Sequence, residues 1–192
     1  MIESFLNSTP WMWPALALAT AASLATFRPV ARVLGAPRPV VFLLLFSLGG
    51  IVGLTLTPGE DAFAPYLFAD CVARIVRPIG FERVLNLGER GLNVLLFIPL
   101  GMSLGALPRS RTKVGLIIAA MALPFAIEGI QYIAPVLDRS CNTVDIIDNL
   151  TGLGLGLVAG FVIGGAVGIA SAGRAGRGDG LDATVGPNLD AG

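Results

Sequence analysis

Histidine is absent from the 192 residues, and there are only two cysteines. Zinc and haem centres are built mainly from these side chains, so we expect no metal and no cofactor. Charged residues make up only 14% of the chain, and 13 basic residues cancel 13 acidic ones. No overall positive field is available to attract nucleic acid. The chemistry left to this chain is that of carboxylates, amides and arginines.

Hydrophobic residues account for 54% of the chain, and the mean hydropathy is +0.78. This composition lies outside the range of soluble globular proteins. We therefore predict an all-α integral membrane protein, with residues 1–170 forming a single membrane domain. The apolar runs predict five transmembrane helices, at residues 11–27, 40–57, 91–107, 114–136 and 144–169.

The two ends of the chain allow simple expectations. Residues 1–10 contain no basic residue, which favours a retained first helix over a signal peptide, although the small residues at 21–23 leave cleavage open. Residues 171–192 are rich in Gly, Ala, Asp and Arg without periodicity, and we predict a disordered cytoplasmic tail.

The long connection after the second run has an amphipathic pattern. Apolar residues recur at helical spacing, at Phe63, Leu67, Cys71, Ile75 and Ile79. This pattern predicts an outer interfacial helix lying on the membrane. A loop helix packed on protein would have the same pattern.

The last apolar run carries glycine at every fourth position. Such a ridge lets another helix backbone approach closely in lipid. We predict helix packing along these glycines, which are Gly152, Gly156, Gly160, Gly164 and Gly168.

Orientation follows from the basic residues, which are retained on the cytoplasmic side. With the N-terminus outside, eight basic residues lie in inner segments and five in outer ones. Four of those five lie in the long connection, where the charge rule counts least. We therefore expect an external N-terminus and a cytoplasmic C-terminus.

This topology gathers the polar residues of the spans in the outer half of the membrane. Glu128 and Gln131 share one helix face, and a lone charged Glu in lipid costs about 3 kcal/mol. We expect the side chains of Asn93, Gln131 and Asn149 to be the hydrogen-bond partners of Glu128. These polar residues either line a ligand-facing cavity or only hold helices together. The predicted cluster consists of Asn93, Glu128, Gln131, Arg139, Asp145, Asp148 and Asn149, with Arg90 beside it.

Asp145 also has a simpler interpretation. Asn142 or Thr143 is suited to cap the last helix, which would place Asp145 in the first turn, where the helix dipole favours an anion. Arg139 is better suited to pair with a carboxylate or to hold an anion.

Both cysteines fall in predicted outer loops. Cys71 lies in the long connection and Cys141 precedes the last helix. Disulfides persist on the oxidising side of a membrane, so the two thiols are able to pair, or they are two unrelated small apolar residues.

Several short motifs together resemble the VanZ-like membrane family. They are Asn93-Val-Leu-Leu-Phe97-Ile-Pro99-Leu-Gly101, then Glu128-x-x-Gln131, then Arg139, and Asp145-x-x-x-Asn149-x-x-Gly152. The matching region spans about residues 90–165. The family is named after a protein associated with tolerance to the glycopeptide teicoplanin. The resemblance implies a bacterial cell membrane protein and assigns no catalytic residue.

Three functions fit these features. The first is a non-enzymatic envelope protein that binds a membrane lipid or a lipid-bearing ligand, such as a lipoglycopeptide, in an outer-leaflet cavity. The second is a membrane-embedded enzyme in which Glu128 acts as the acid or base and Arg139 holds an anionic group. The third is a small ion- or proton-coupled transporter, although polarity on one side only does not fit alternating access. Protein partners do not follow from the sequence.

Overall fold

The computed structural model describes residues 11–58, 71–72, 88–137 and 141–182, with 166–182 described as backbone only. Within these ranges the chain forms five helices, α1 (Met12–Leu34), α2 (Arg38–Thr55), α3 (Glu89–Ala106), α4 (Arg111–Ile133) and α5 (Thr143–Asp182). A 3-10 helix at Pro135–Leu137 follows α4. Strands β1 (Cys71–Val72) and β2 (Cys141–Asn142) pair in parallel. The predicted helical fold is therefore confirmed for the described part of the chain.

Three helices are long and apolar enough to cross a membrane, namely Arg38–Thr55, Arg111–Ile133 and the Thr143–Gly165 part of α5. α3 supplies a shorter apolar segment, Arg90–Ala106. α1 is 23 residues long but contains Arg28, Pro29 and Arg32, which lower its hydropathy. A helical membrane protein is thus supported, and within the described residues three of the five predicted spans are long and apolar enough to cross a membrane.

The ends of two helices differ from the prediction. α1 continues through residues 28–34, beyond the predicted end of the first span at residue 27, and stops only at Gly35. Gly35 has φ 59°, a left-handed conformation that glycine adopts without steric cost. α4 begins at Arg111 rather than at 114, because the Ser110 hydroxyl accepts a hydrogen bond from the Lys113 amide at 3.0 Å.

The predicted interfacial helix is wrong at Cys71 and Val72. These residues are extended, because their backbone pairs with β2 in a register that places Cys71 opposite Cys141. The other residues of the proposed helix lie outside the described part of the chain.

The predicted disordered tail also differs over its first part. α5 runs on to Asp182, so the backbone of residues 171–182 is helical. Residues 183–192 lie outside the described ranges.

α1 and α2 form an antiparallel pair. A Cβ atom placed on Gly49 would lie 2.8 Å from the Cβ of Ala19, and one placed on Gly53 would lie 2.8 Å from the Cβ of Ala15. As the residue number rises in one helix it falls in the other. The N-terminal end of α1 therefore lies beside the C-terminal end of α2.

The glycines of α5 bring it into backbone contact with α3. A Cβ atom placed on Gly152 would overlap the carbonyl oxygen of Val94, and one placed on Gly156 would overlap that of Ile98. The second position also faces a glycine, because the same Cβ would lie 3.0 Å from the Cα of Gly101. The two backbones are thus so close that only glycine, which has no Cβ atom, fits at these positions.

The contact continues toward the C-terminal end of both helices. A Cβ atom placed on Gly160 would lie 2.9 Å from the Cα of Gly105, and one on Gly164 would lie 3.4 Å from the Cα of Ala106. The contacts of Gly168 lie outside the described side chains.

α3 and α5 are parallel, because residue numbers rise together along their contact. The ion pair between Arg90 and Asp148 joins residues separated by 58 positions, and the glycine contacts keep this separation. α4 returns the chain to the end at which α3 begins. An apolar core fills the space between the helices, and its most buried members include Ile51, Phe97, Leu104, Ile127 and Leu153.

Candidate functional site

At the end of the bundle where α1 begins, four other helix ends meet, namely the C-terminal ends of α2 and α4 and the N-terminal ends of α3 and α5. Polar side chains of the spans concentrate here. We call this region the polar end and define it by Thr55, Arg90, Glu128, Gln131, Asn142, Asp145, Asp148 and Asn149.

Arg90 and Asp148 form a two-pronged ion pair between α3 and α5. The Arg90 Nε donates to Asp148 Oδ2 and its Nη2 donates to Asp148 Oδ1, each at 2.7 Å. The Asp148 side chain is 1% exposed, whereas that of Arg90 is 30% exposed. Planar guanidinium and carboxylate groups match in this geometry, which makes such pairs strong and specific. The carboxylate is thus buried and neutralised from the first turn of α3.

Glu128 is buried, and its partner is a backbone group. Its Oε2 accepts a hydrogen bond at 2.7 Å from the backbone N–H of Asn142 in β2. The sequence predicted amide side chains as partners, from Asn93, Gln131 or Asn149. That expectation is wrong, because among the described residues no amide side chain is hydrogen-bonded to Glu128. Instead, β2 lies across the end of α4 and its Asn142 N–H binds the carboxylate.

Asn142 has a second role at the start of α5. Its side-chain Oδ1 accepts a hydrogen bond from the Val144 N–H at 3.1 Å, which satisfies one of the open donors of the helix N-terminus. Capping by Asn142 was one of the two possibilities that the sequence left open. One residue therefore caps α5 and binds Glu128 of α4.

Gln131 connects α4 to a third helix. Its Nε2 donates to the Thr55 carbonyl oxygen at 2.9 Å, near the last turn of α2. Glu128 and Gln131 thus lie in the same region but bind different elements. Asn93 is half-buried in α3, and no side-chain hydrogen bond joins it to another described residue.

Asp145 lies in the first turn of α5, where the helix dipole favours a negative charge. Its charge also acts on both Arg90 and Glu128, so Asp145 lies near both groups. Both interpretations of Asp145, as a residue of the first turn and as a member of the polar cluster, fit this position.

Asn149 follows the ion-paired Asp148 and is 3% exposed. Its Oδ1 is the single buried side-chain oxygen or nitrogen without a hydrogen-bond partner within the described ranges. Buried polar atoms are nearly always paired, so an isolated acceptor marks a place where a donor is missing.

The cysteines lie beside this region. Cys141 is disulfide-bonded and buried, and Cys71 is the other of the chain's two cysteines. The strand register that pairs their Cα atoms supports a bridge between them. Arg139, the remaining predicted member of the cluster, lies outside the described residues.

Sequence reasoning missed a buried lysine at the opposite end of the bundle. Lys113 is 6% exposed, and its Nζ donates to the carbonyl oxygens of Gly105 at 2.6 Å and Leu107 at 2.8 Å. The ammonium also lies 4.5 Å from the centre of the Phe161 ring. Lys113 of α4 therefore binds backbone carbonyls at the C-terminal end of α3 and contacts the Phe161 ring of α5. A lysine directly after the short α3–α4 turn was the available signal.

Comparisons with known proteins agree with the motifs that lead to the polar end. The searches of curated proteins and of solved structures found no match. The VanZ/LLP1 family model matches residues 41–164, which is most of the chain and includes all the described residues of the polar end. The chain therefore belongs to the VanZ/LLP1 family.

Proposed function

We propose that this protein is a non-enzymatic envelope protein that binds the headgroup of a lipid-bearing ligand at the polar end. The apolar helix faces next to the polar end would contact the acyl chain. The observation that carries the proposal is the burial of Glu128, Asp148 and Asn149 together at one end of an otherwise apolar bundle.

Packing alone does not account for this burial. α3 and α5 already have a continuous glycine contact, and the core beside it is apolar. Placing a carboxylate in a membrane interior costs about 3 kcal/mol, and its partners have to offset that cost. Polar groups retained at such a cost are the usual mark of a functional site in a membrane protein.

The polar end is accessible as well as buried. Arg90 keeps 30% of its side chain exposed while it holds the nearly inaccessible Asp148. A headgroup arriving from the membrane surface would meet the guanidinium and the first turn of α5 before it met the apolar core.

All five helices cross the membrane in this proposal. α3 has 18 residues, which is a length of about 27 Å at about 1.5 Å per residue, close to the roughly 30 Å of the hydrocarbon core. It lies parallel to α5 along the Thr143–Gly165 segment, so it covers the same depth. α1 lies antiparallel beside the membrane-length α2, so it also covers the membrane depth.

The polar end faces outward in the proposed topology. Cys141 is disulfide-bonded, and disulfides persist in oxidising compartments. The N-terminal end of α1 lies with the C-terminal end of α2 at this end, which agrees with an external N-terminus. The C-terminus is then cytoplasmic.

The family connection suggests a phenotype to measure. Deleting the gene should increase sensitivity to teicoplanin, and the wild-type gene should restore tolerance. Glu128→Gln should restore it poorly, because the neutral amide weakens the bond that the carboxylate accepts from Asn142. The matched control is Thr151→Val on an exposed face of α5.

Three results would oppose the proposal. Unchanged teicoplanin sensitivity after deletion would show that the protein does not contribute to tolerance. Full complementation by Glu128→Gln would show that tolerance does not depend on the Glu128 carboxylate of the polar end. Turnover of a lipid substrate by the purified protein would favour the membrane-embedded enzyme.

A further inference from the structure

We propose that the polar end recognises a primary ammonium group on a phospholipid headgroup, and that the Oδ1 atom of Asn149 accepts one of its hydrogen bonds. This inference rests on the proposed function and names the chemistry of the ligand. It begins from the buried, unpartnered Asn149 Oδ1. An amide oxygen is an acceptor, so the missing partner is a donor.

Helix geometry places this acceptor beneath the acidic part of the polar end. Asn149 lies one turn below Asp145 on the same face of α5, and about two turns below Asn142, the residue that caps this helix. The Asn142 backbone binds Glu128, so the start of α5 lies beside Glu128 near the end of α4. Leu153, one turn further, is 1% exposed and belongs to the apolar core. Asn149 is therefore the last polar group on this face before the core begins.

The charges of the described residues favour a cation over an anion. The polar end has three carboxylates, those of Glu128, Asp145 and Asp148, and one guanidinium. That guanidinium already uses Nε and Nη2 to bind Asp148. Among the described residues of the polar end, the paired guanidinium donors that would hold a phosphate or carboxylate ligand are thus engaged within the protein.

A primary ammonium fits this arrangement because it carries three donors and a positive charge. One donor would satisfy Asn149, and the charge would be attracted by the adjacent acids. A quaternary ammonium has the same charge but no N–H, so it would leave Asn149 unsatisfied. The hydrogen bond can therefore be tested separately from the charge.

Binding of three lipids to the purified protein in detergent, measured by native mass spectrometry, tests the inference. Phosphatidylethanolamine has the primary ammonium, phosphatidylcholine has the same phosphate with a quaternary ammonium, and phosphatidylglycerol has hydroxyl groups and a net negative charge. We expect phosphatidylethanolamine to bind about tenfold more tightly than either of the others, the effect of one hydrogen bond to a charged group.

Asn149→Leu is the matched variant, since leucine has a similar volume and no acceptor. It should remove the tenfold preference and raise the midpoint of thermal unfolding, because the buried amide loses no bond on replacement. A merely structural asparagine would lower that midpoint. Thr151→Val, on an exposed face of the same helix, should keep the preference.

The outcomes separate this inference from the proposed function. Equal saturable binding of phosphatidylethanolamine and phosphatidylcholine, or tighter binding of phosphatidylglycerol, would overturn the recognition of a primary ammonium but still support a lipid-binding site. Saturable binding of no lipid would overturn both. Equal binding of glycerophosphoethanolamine, which lacks acyl chains, would support the ammonium and contradict a lipid-bearing ligand.

Discussion

Replacing Gly156 by alanine should destabilise the protein because it pushes α3 and α5 apart. The added Cβ would overlap the Ile98 carbonyl oxygen and would lie 2.8 Å from the Met102 nitrogen and 3.0 Å from the Gly101 Cα. All three atoms belong to the backbone, so no side-chain rotation relieves the overlap. Forcing extra atoms into a tight interior costs about 1 to 3 kcal/mol.

Gly154→Ala is a matched control on the same helix. A Cβ atom at Gly154 meets no atom within 4 Å. Alanine is favoured over glycine within a helix by about 1 kcal/mol at either position, so this gain cancels between the variants. The difference in stability between Gly156→Ala and Gly154→Ala therefore isolates the overlap.

Thermal unfolding in one detergent, followed by circular dichroism, measures this difference. In proteins of this size 1 kcal/mol corresponds to roughly 2 to 4 °C in midpoint. We expect Gly156→Ala to unfold about 2 to 12 °C below Gly154→Ala. Equal midpoints would show that α3 does not pack against this face of α5.

Three further predictions concern the ionic and covalent contacts. Arg90→Ala should destabilise the protein by about 3 kcal/mol, because it leaves the buried Asp148 carboxylate unpaired. Adding Asp148→Asn should recover part of this loss in thermal unfolding. If the stability losses of the two single variants simply added in the double variant, the ion pair would be contradicted. Cys141→Ser should leave Cys71 as a free thiol that reacts with maleimide. It should also lower the free energy of unfolding by about 4 kcal/mol, because the lost bridge closes a loop of about 70 residues. An equally reactive thiol in the unreduced wild-type protein would exclude the bridge. Lys113→Met should lower the free energy of unfolding by about 2 kcal/mol, because it leaves the carbonyl oxygens of Gly105 and Leu107 at the end of α3 without this donor. Arg111→Met, at an exposed position of α4, should leave the stability unchanged. Equal chemical-denaturation curves for the two variants would contradict these hydrogen bonds.

The position of the polar end could be predicted because it depends on features that the sequence displays. Membrane-length apolar runs fix which helix ends meet, and Glu128 and Gln131 fall three positions apart near one such end. Alternation of direction through α3, α4 and α5 then brings Asp148 and Asn149 to the same level. The alternating direction of the helices does not specify which groups these side chains bind.

The hydrogen bonds of Glu128 and Lys113 show why. Glu128 binds a backbone N–H of β2, and Lys113 binds backbone carbonyls of α3. Every residue offers such backbone groups, so the sequence does not indicate which of them remain available after helices and strands form. Side-chain patterns predicted the location of Glu128 but not its partner.

The sequence shows the two glycine faces of the contact between α3 and α5, but not how they are paired. Four-residue spacing along α5 indicates a close-packing face, and Gly101 and Gly105 have the same spacing in α3. Joining the two faces requires the parallel register, which depends on where β2 and the cap at Asn142 start α5. Local propensity does not determine that start.

The separation of 58 residues between contacting positions of α3 and α5 also sets the order of events during synthesis. A ribosome adding about 5 to 20 residues per second needs roughly 3 to 12 s to make that length. Throughout this interval the face of α3 that contains Gly101 and Gly105 lacks its partner, while α4 is inserted in the opposite direction. A chain that ends before α5 retains this unfilled groove permanently, so incomplete products differ from the finished protein by a surface that membrane quality control can detect.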